Sequence, residues 1–406
     1  MRRYVLIMIH PIFCYLGVTL AFVSSLFLFV RGWLDADTYF YVPLVLLIGF
    51  YTAYSVVTDK DSYLPRTWRQ VLPKALGKTL MWGGIIWGVI QFYGAHPLYR
   101  DFTVDTRRFM EHLLKVFWVA GPIYFILAEK FRYNRDNCIG DPYLRFLSLL
   151  KQLVRLQFRC IGRRIIKRPY RRFIMMVLLR IHYIPIMLYQ VHQHVVNLTY
   201  SLQAEDMQWN LTAVLWSLII PLAWLIDSNN GAMGYFWESW FTKTRFRDMD
   251  PFPLHWIVVL CCYPPFINLA GQFVPFPDAP AQATLLFNSH GLNTTLEIIL
   301  TTVLVLYMLS GCALWFSTSN LCYKKIQTRG PYGIVRHPAT TCKLIFFFLA
   351  FFRYRESFCL TGILCYGVWF TVYISRALVE ERFLRQYSEY RTYMKKTRYR
   401  FIPGIC

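Results

Sequence analysis

Apolar runs long enough to cross a bilayer recur from one end of this chain to the other, and basic loops separate them. About 20 mostly apolar residues span the hydrocarbon core as a helix. Inside lipid every backbone polar group must be satisfied within the protein, so runs of this length are read as helices. The chain is therefore expected to be all-α, a polytopic integral membrane bundle. Composition agrees: of 406 residues, 56% are hydrophobic and 16% charged, too apolar for an ordinary soluble domain. Residues 5–30, 39–57, 79–93, 113–128, 173–196, 211–226, 254–274 and 294–316 read as spans. A hairpin of residues 343–352 and 357–377 follows, its first arm short for a straight crossing. With both arms counted the total is about ten spans. The first run exceeds a signal-peptide core and is read as a retained span.

The net charge of +22 does not point to nucleic acid, because the basic residues cluster in the loops between apolar runs. That is the positive-inside pattern of a multispanning protein, and the partner it implies is the bilayer itself. Residues 130–172 hold thirteen Lys and Arg against two Asp. Within them residues 143–158 have helical periodicity: Arg145, Lys151, Arg155 and Arg159 share one face, and Phe146, Leu147, Leu149, Leu150, Leu153 and Val154 another. A helix of this kind lies in the headgroup plane. Residues 200–210 and 275–292 have no Lys or Arg. A cytoplasmic N-terminus puts every strongly basic loop, and the C-terminus, inside. The three sequons at Asn197, Asn210 and Asn293 then fall outside. A bacterial inner membrane and the endoplasmic reticulum both fit this topology.

Several classes of chemistry find no support. The cysteines number 11, an odd count, scattered and without a CxxC pair, which argues against a disulfide framework or a zinc site. His182, His192 and His194 share an apolar stretch, but helix positions two apart do not face each other, so no metal site is expected. GxGxxG opening a βαβ unit, a Walker loop, GxSxG and HExxH are absent, which speaks against a soluble Rossmann-type methyltransferase or dehydrogenase.

The candidate chemistry lies near the C-terminus. Residues 329–338 carry Arg329, Gly330, Pro331, Tyr332, Gly333, Arg336, His337 and Pro338 between long apolar runs. A polar, irregular segment in a membrane protein faces water or lines a site. Residues 370–396 read as one long helix, apolar first and then charged, with Arg376 and Glu380 one turn apart on one face. Leu384, Tyr387 and Arg391 continue that side.

The order Gly-Pro-Tyr-x-x-x-Arg-His-Pro, an apolar hairpin, Arg-x-x-x-Glu-Glu-x-x-Leu, Tyr-x-x-Tyr and a closing Pro resembles the isoprenylcysteine carboxyl methyltransferase and phospholipid methyltransferase superfamily. The resemblance covers residues 327–403. It implies an integral membrane enzyme with S-adenosylmethionine as cofactor and a lipid, lipid-linked or other hydrophobic acceptor, methylated on a carboxyl or amine group. It implies that Tyr332, Val335, Arg336, His337 and Pro338 border the cofactor, that Glu380 and Glu381 hold its polar parts, and that Tyr390 and Tyr393 enclose its adenosine. Arg376 and Glu380 would act as a pair near the reacting end, with His337 there as well. The family pattern continues after His-Pro with x-Tyr-x-Gly, where this chain has Ala339-Thr340-Thr341-Cys342. The division expected is a multispanning region, residues 1–290, and a methyltransferase-like part, residues 291–406. Two other readings stay open. Membrane sterol or enone reductases that use NADPH have a similar Gly-Pro-aromatic and Arg-His-Pro segment. A non-catalytic scaffold or transporter with a degenerate methyltransferase part is the third.

Overall fold

The computed structural model describes residues 11–34, 38–39, 42–43, 45–47, 49–50, 67–99, 104–130, 142–203, 210–236, 246–277 and 283–405. These are overwhelmingly helical. In chain order the helices are α1 Pro11–Val30, α2 Trp68–Ala95, α3 Val104–Lys130, α4 Pro142–Val154, α5 Phe158–Ile165, α6 Arg168–Gln203, α7 Leu211–Val214, α8 Ile220–Phe236, α9 Pro253–Leu260, α10 Phe266–Gly271, α11 His290–Leu314, α12 Pro338–Phe352, α13 Leu360–Leu384 and α14 Ser388–Lys396. A two-residue antiparallel ribbon pairs β1 Asp248–Met249 with β2 Cys322–Tyr323.

Six of the described helices are long and apolar enough to cross a membrane: Ile12–Val30, Thr106–Lys130, Arg168–Leu202, Leu211–Tyr235, His290–Leu314 and Leu360–Leu384. They fall on six of the expected spans. The expected span at 39–57 lies largely outside the described residues. Helix α2 has the length to cross, but its tryptophans and glycines keep it less apolar than the six. The expected span at 254–274 is not one helix. It breaks into α9 and α10 at Pro264-Pro265, where two consecutive residues lack the N–H that would continue a helix. The first hairpin arm belongs to α12, 15 residues long. The basic amphipathic stretch also breaks, between α4 and α5, at Leu156, whose φ is 53°. The long helix expected over 370–396 is two, α13 and α14, separated at residues 385–387.

Helix α6 runs through the largest core, where Met176, Leu179, Tyr183, Val191, Val195 and Leu198 are buried together. It contains Pro185, which removes the donor that Ile181 O would otherwise accept. The Tyr93 hydroxyl of α2 supplies one, donating to Ile181 O at 3.2 Å and His182 O at 3.1 Å. Between α7 and α8 the helix takes a π turn at Leu215–Ile219, just before Pro221, a second place where a missing N–H shifts the ladder. Helix α8 comes close to the loop after α11: a Cβ on Gly234 would stand 2.1 Å from Thr318 O, so only glycine permits this approach.

Candidate functional site

The segment expected to carry chemistry is held by the residues that follow α14. Gly330–Gly333 forms a short 3-10 turn, with Gly330 at φ 62°, the left-handed region that glycine enters without strain. Tyr332 O accepts from Tyr393 Oη at 2.8 Å and from Thr397 Oγ1 at 3.3 Å. Arg336 N–H and His337 N–H donate to Tyr399 O and Arg400 O, each at 3.0 Å. Thr341 Oγ1 donates to Phe401 O at 3.0 Å. Side-chain bonds complete the attachment. Arg336 reaches Glu381 of α13 at 2.5 Å, Thr397 O at 3.0 Å and Arg398 O.

Glu381 is a hub. Besides Arg336 it meets Arg385 at 3.2 Å and Arg400 at 2.9 Å, and it is 1% exposed. Its neighbour Glu380 turns elsewhere, because successive helix residues point about 100° apart. Glu380 lines a cavity of about 480 Å³, within the range of ligand pockets. Among the described residues its carboxylate has neither a hydrogen-bond nor an ion-pair partner.

The same cavity is lined by Tyr332, Arg336, His337, Arg376, Tyr390 and Tyr393. Of the expected site residues, Val335 and Pro338 are buried beside it without lining it, and Glu381 is turned away into its arginines. Arg376 and Glu380 share the cavity wall but form no ion pair within 4.0 Å. Arg376 Nη2 donates instead to Asn320 Oδ1 at 2.6 Å. Asn320 Nδ2 in turn donates to Tyr235 Oη at 2.6 Å and Tyr263 Oη at 3.2 Å. The Tyr263 ring lies 5.3 Å from the Arg376 guanidinium. Those partners come from α8, the α9–α10 turn and the loop after α11, and they fix the guanidinium on one side while its other donors remain for the cavity.

His337 stands at the start of α12, its ring 5.6 Å from Phe401. Among the described residues its buried Nε2 has no hydrogen-bond partner, and the residue lines the cavity. Burial lowers its pKa to about 4, and the neighbouring Arg336 and Arg400 push the same way, while Glu381 opposes them. The folded imidazole is therefore neutral at pH 7. Its stability contribution is complete above the unfolded value of 6.5 and fades as pH falls toward about 4. The Tyr332, Tyr390 and Tyr393 phenols are raised, chiefly by burial, and stay protonated donors.

The cavity is elongated. On α13 its lining runs Leu384, Glu380, Arg376, Tyr373, a distance of about 16 Å at 1.5 Å per residue. One end is the polar loop. The other lies among Trp224, Phe276, Tyr307 and Phe347, at the level of Asp227 and Lys343. Asp227 and Lys343 were not expected as site residues. The signal was present in each case: a lone lysine inside the apolar run of α12, and an aspartate ending the run at 211–226. Ionisable residues within apolar spans commonly mark a functional interior. Thr340 also lines the cavity, and Cys342 packs against the hydrophobic cluster that holds Tyr307 and Phe346. Comparison of the chain with protein-family models, with curated proteins and with solved structures finds no match in any of the three.

Proposed function

We propose that this protein is a membrane-embedded methyltransferase that uses S-adenosylmethionine and acts on a hydrophobic or lipid-linked acceptor. The observation that carries the reading is the unpartnered Glu380 carboxylate in the cavity wall, one turn from Arg376 and at the end lined by Tyr332, Tyr390 and Tyr393. These groups suit an amino-acid-bearing nucleoside. Glu380 would hold its ammonium, Arg376 its carboxylate, and the three phenols its adenosine.

The cofactor supplies an activated methyl group, so the protein's task is positioning and exclusion of water rather than strong acid–base chemistry. The residues here are arranged for that task. Arg376 is clamped by Asn320 and Tyr263, and the Arg336–Glu381 attachment fixes the loop that bears His337. Neutral His337, with Nε2 unpaired, can accept a proton from an amine acceptor or donate a hydrogen bond, depending on its tautomer. The aromatic end of the cavity offers apolar surface to the acceptor.

The test is calorimetric titration of S-adenosylmethionine into purified protein in lipid nanodiscs. The intact protein should bind, and Glu380→Ala should weaken binding roughly ten- to hundredfold, the loss of one charge-assisted hydrogen bond. Absence of binding by the intact protein would sink the reading. Displacement by NADPH but not by S-adenosylhomocysteine would transfer it to the reductase class.

A further inference from the structure

We propose that the aromatic end of the cavity is a binding site for the anionic head of a membrane amphiphile, a carboxylate or phosphate on a hydrocarbon chain, with Lys343 as the recognising cation. The inference deepens the proposed function, on which it rests only in calling this molecule the acceptor.

Lys343 lines the cavity. Its ammonium lies 5.5 Å from the Trp224 ring centre, 5.3 Å from Tyr307, 5.7 Å from Phe347 and 5.6 Å from Tyr373. Four ring faces steady a cation but accept none of its three N–H donors in a conventional hydrogen bond. Among the described residues this ammonium has no hydrogen-bond acceptor and no ion-pair partner within 4.0 Å. An ammonium so placed in an apolar setting is costly unless something pairs with it.

Asp227 is the nearby internal carboxylate, lining the same cavity, but it forms no ion pair with Lys343 within 4.0 Å. Its carboxylate accepts from Tyr307 Oη at 2.6 Å. It also fits against Gly311, where a Cβ would come within 3.2 Å of Oδ1. Asp227 and Lys343 both line the cavity. Phe276, Ile267 and Met187 extend the lining with apolar surface suited to a hydrocarbon chain. A neutral acceptor would leave the Lys343 donors unmatched, and an inorganic anion would leave the apolar lining unused.

The test is equilibrium binding of radiolabelled oleate to the purified full-length protein in a neutral detergent, with oleyl alcohol and 1-oleoyl lysophosphatidate as competitors. Both anions should compete at least tenfold more tightly than the alcohol, and the tighter of them identifies the head. Lys343→Met should weaken oleate binding at least tenfold, and Lys343→Arg should largely retain it. Equal competition by oleyl alcohol overturns the site, as does unchanged oleate affinity in Lys343→Met. If Lys343→Met does not fold, the comparison of anion with alcohol on the unaltered protein decides. S-adenosylmethionine titrated into the same samples separates the two readings. Anion-selective binding without cofactor binding removes the methyltransferase and leaves the site, and cofactor binding without anion preference does the reverse.

Discussion

Glu380 and Glu381 occupy adjacent positions on α13 with the same side chain, and their surroundings differ completely. Three guanidinium groups surround Glu381, whereas Glu380 faces an open chamber. Removing one partner of a buried ion pair typically costs about 3–5 kcal/mol, because the remaining charge stays buried. Glu381→Gln should therefore lower the thermal denaturation temperature of the purified protein sharply. Glu380→Gln should leave it unchanged or raise it, since a neutral amide is cheaper to bury than an unpaired carboxylate. A similar loss in both variants would contradict the division of roles. At this scale the sequence was a partial guide. The one-turn spacing of Arg376 and Glu380 correctly placed both on one wall. The bond Arg376 makes is to Asn320, 56 positions away, and helical spacing carries no information about an acceptor brought in from another segment. The pairing of Arg336 with Glu381, 45 positions apart, was hidden for the same reason.

Among the elements, α6 shows how a long apolar helix tolerates a proline. The carbonyl that Pro185 leaves without an N–H receives the Tyr93 hydroxyl from α2. Tyr93→Phe should cost about 1–3 kcal/mol of stability, the usual penalty for a buried acceptor left unpaired. In a Pro185→Ala background, where the backbone supplies its own N–H, the same change should cost clearly less. Thermal denaturation of the four proteins of this double-mutant cycle checks the coupling, and strict additivity would refute it. Apolar run length made six of the long helices legible in advance. The breaks were less so. Pro264-Pro265 marked one plainly, yet the run around it suggested a single span. The turn after Leu384 has no proline or glycine, and it follows from packing: the Tyr387 ring stacks on Tyr323 at 3.8 Å and its hydroxyl donates to Asp248 at 2.7 Å. Such contacts are not written in local sequence.

At the scale of the molecule, the chamber is not the property of the C-terminal part alone. Met187, Gln190 and His194 of α6 line it, as do Trp224, Asp227 and Tyr235 of α8. The sequence assigned no role to residues 1–290; the structure gives residues between Met187 and Phe276 a share of the chamber wall. They also hold the loop that carries Asn320. Lys324 Nζ donates to Gly234 O, and to Phe316 O at 3.0 Å. Gly234→Ala, with its methyl forced against Thr318 O, should displace that loop at an overpacking cost of about 1–3 kcal/mol. Cofactor titration of this variant should show weakened binding although the change lies outside residues 291–406. Unchanged affinity would mean that the C-terminal part forms its site without the rest.

The adjacency of the two glutamates also bears on how this chain can vary. A helix reads residues by angle, about 100° for each. One residue inserted between Tyr373 and Glu380 would turn Val379 toward the chamber and carry the first glutamate into the arginine cluster. One residue deleted there would keep a carboxylate in the chamber but set Arg382 between Arg336 and Arg400. Either event preserves composition almost perfectly and dismantles one of the two arrangements. Descendants of this sequence are therefore freer to exchange side chains along α13 than to alter its length.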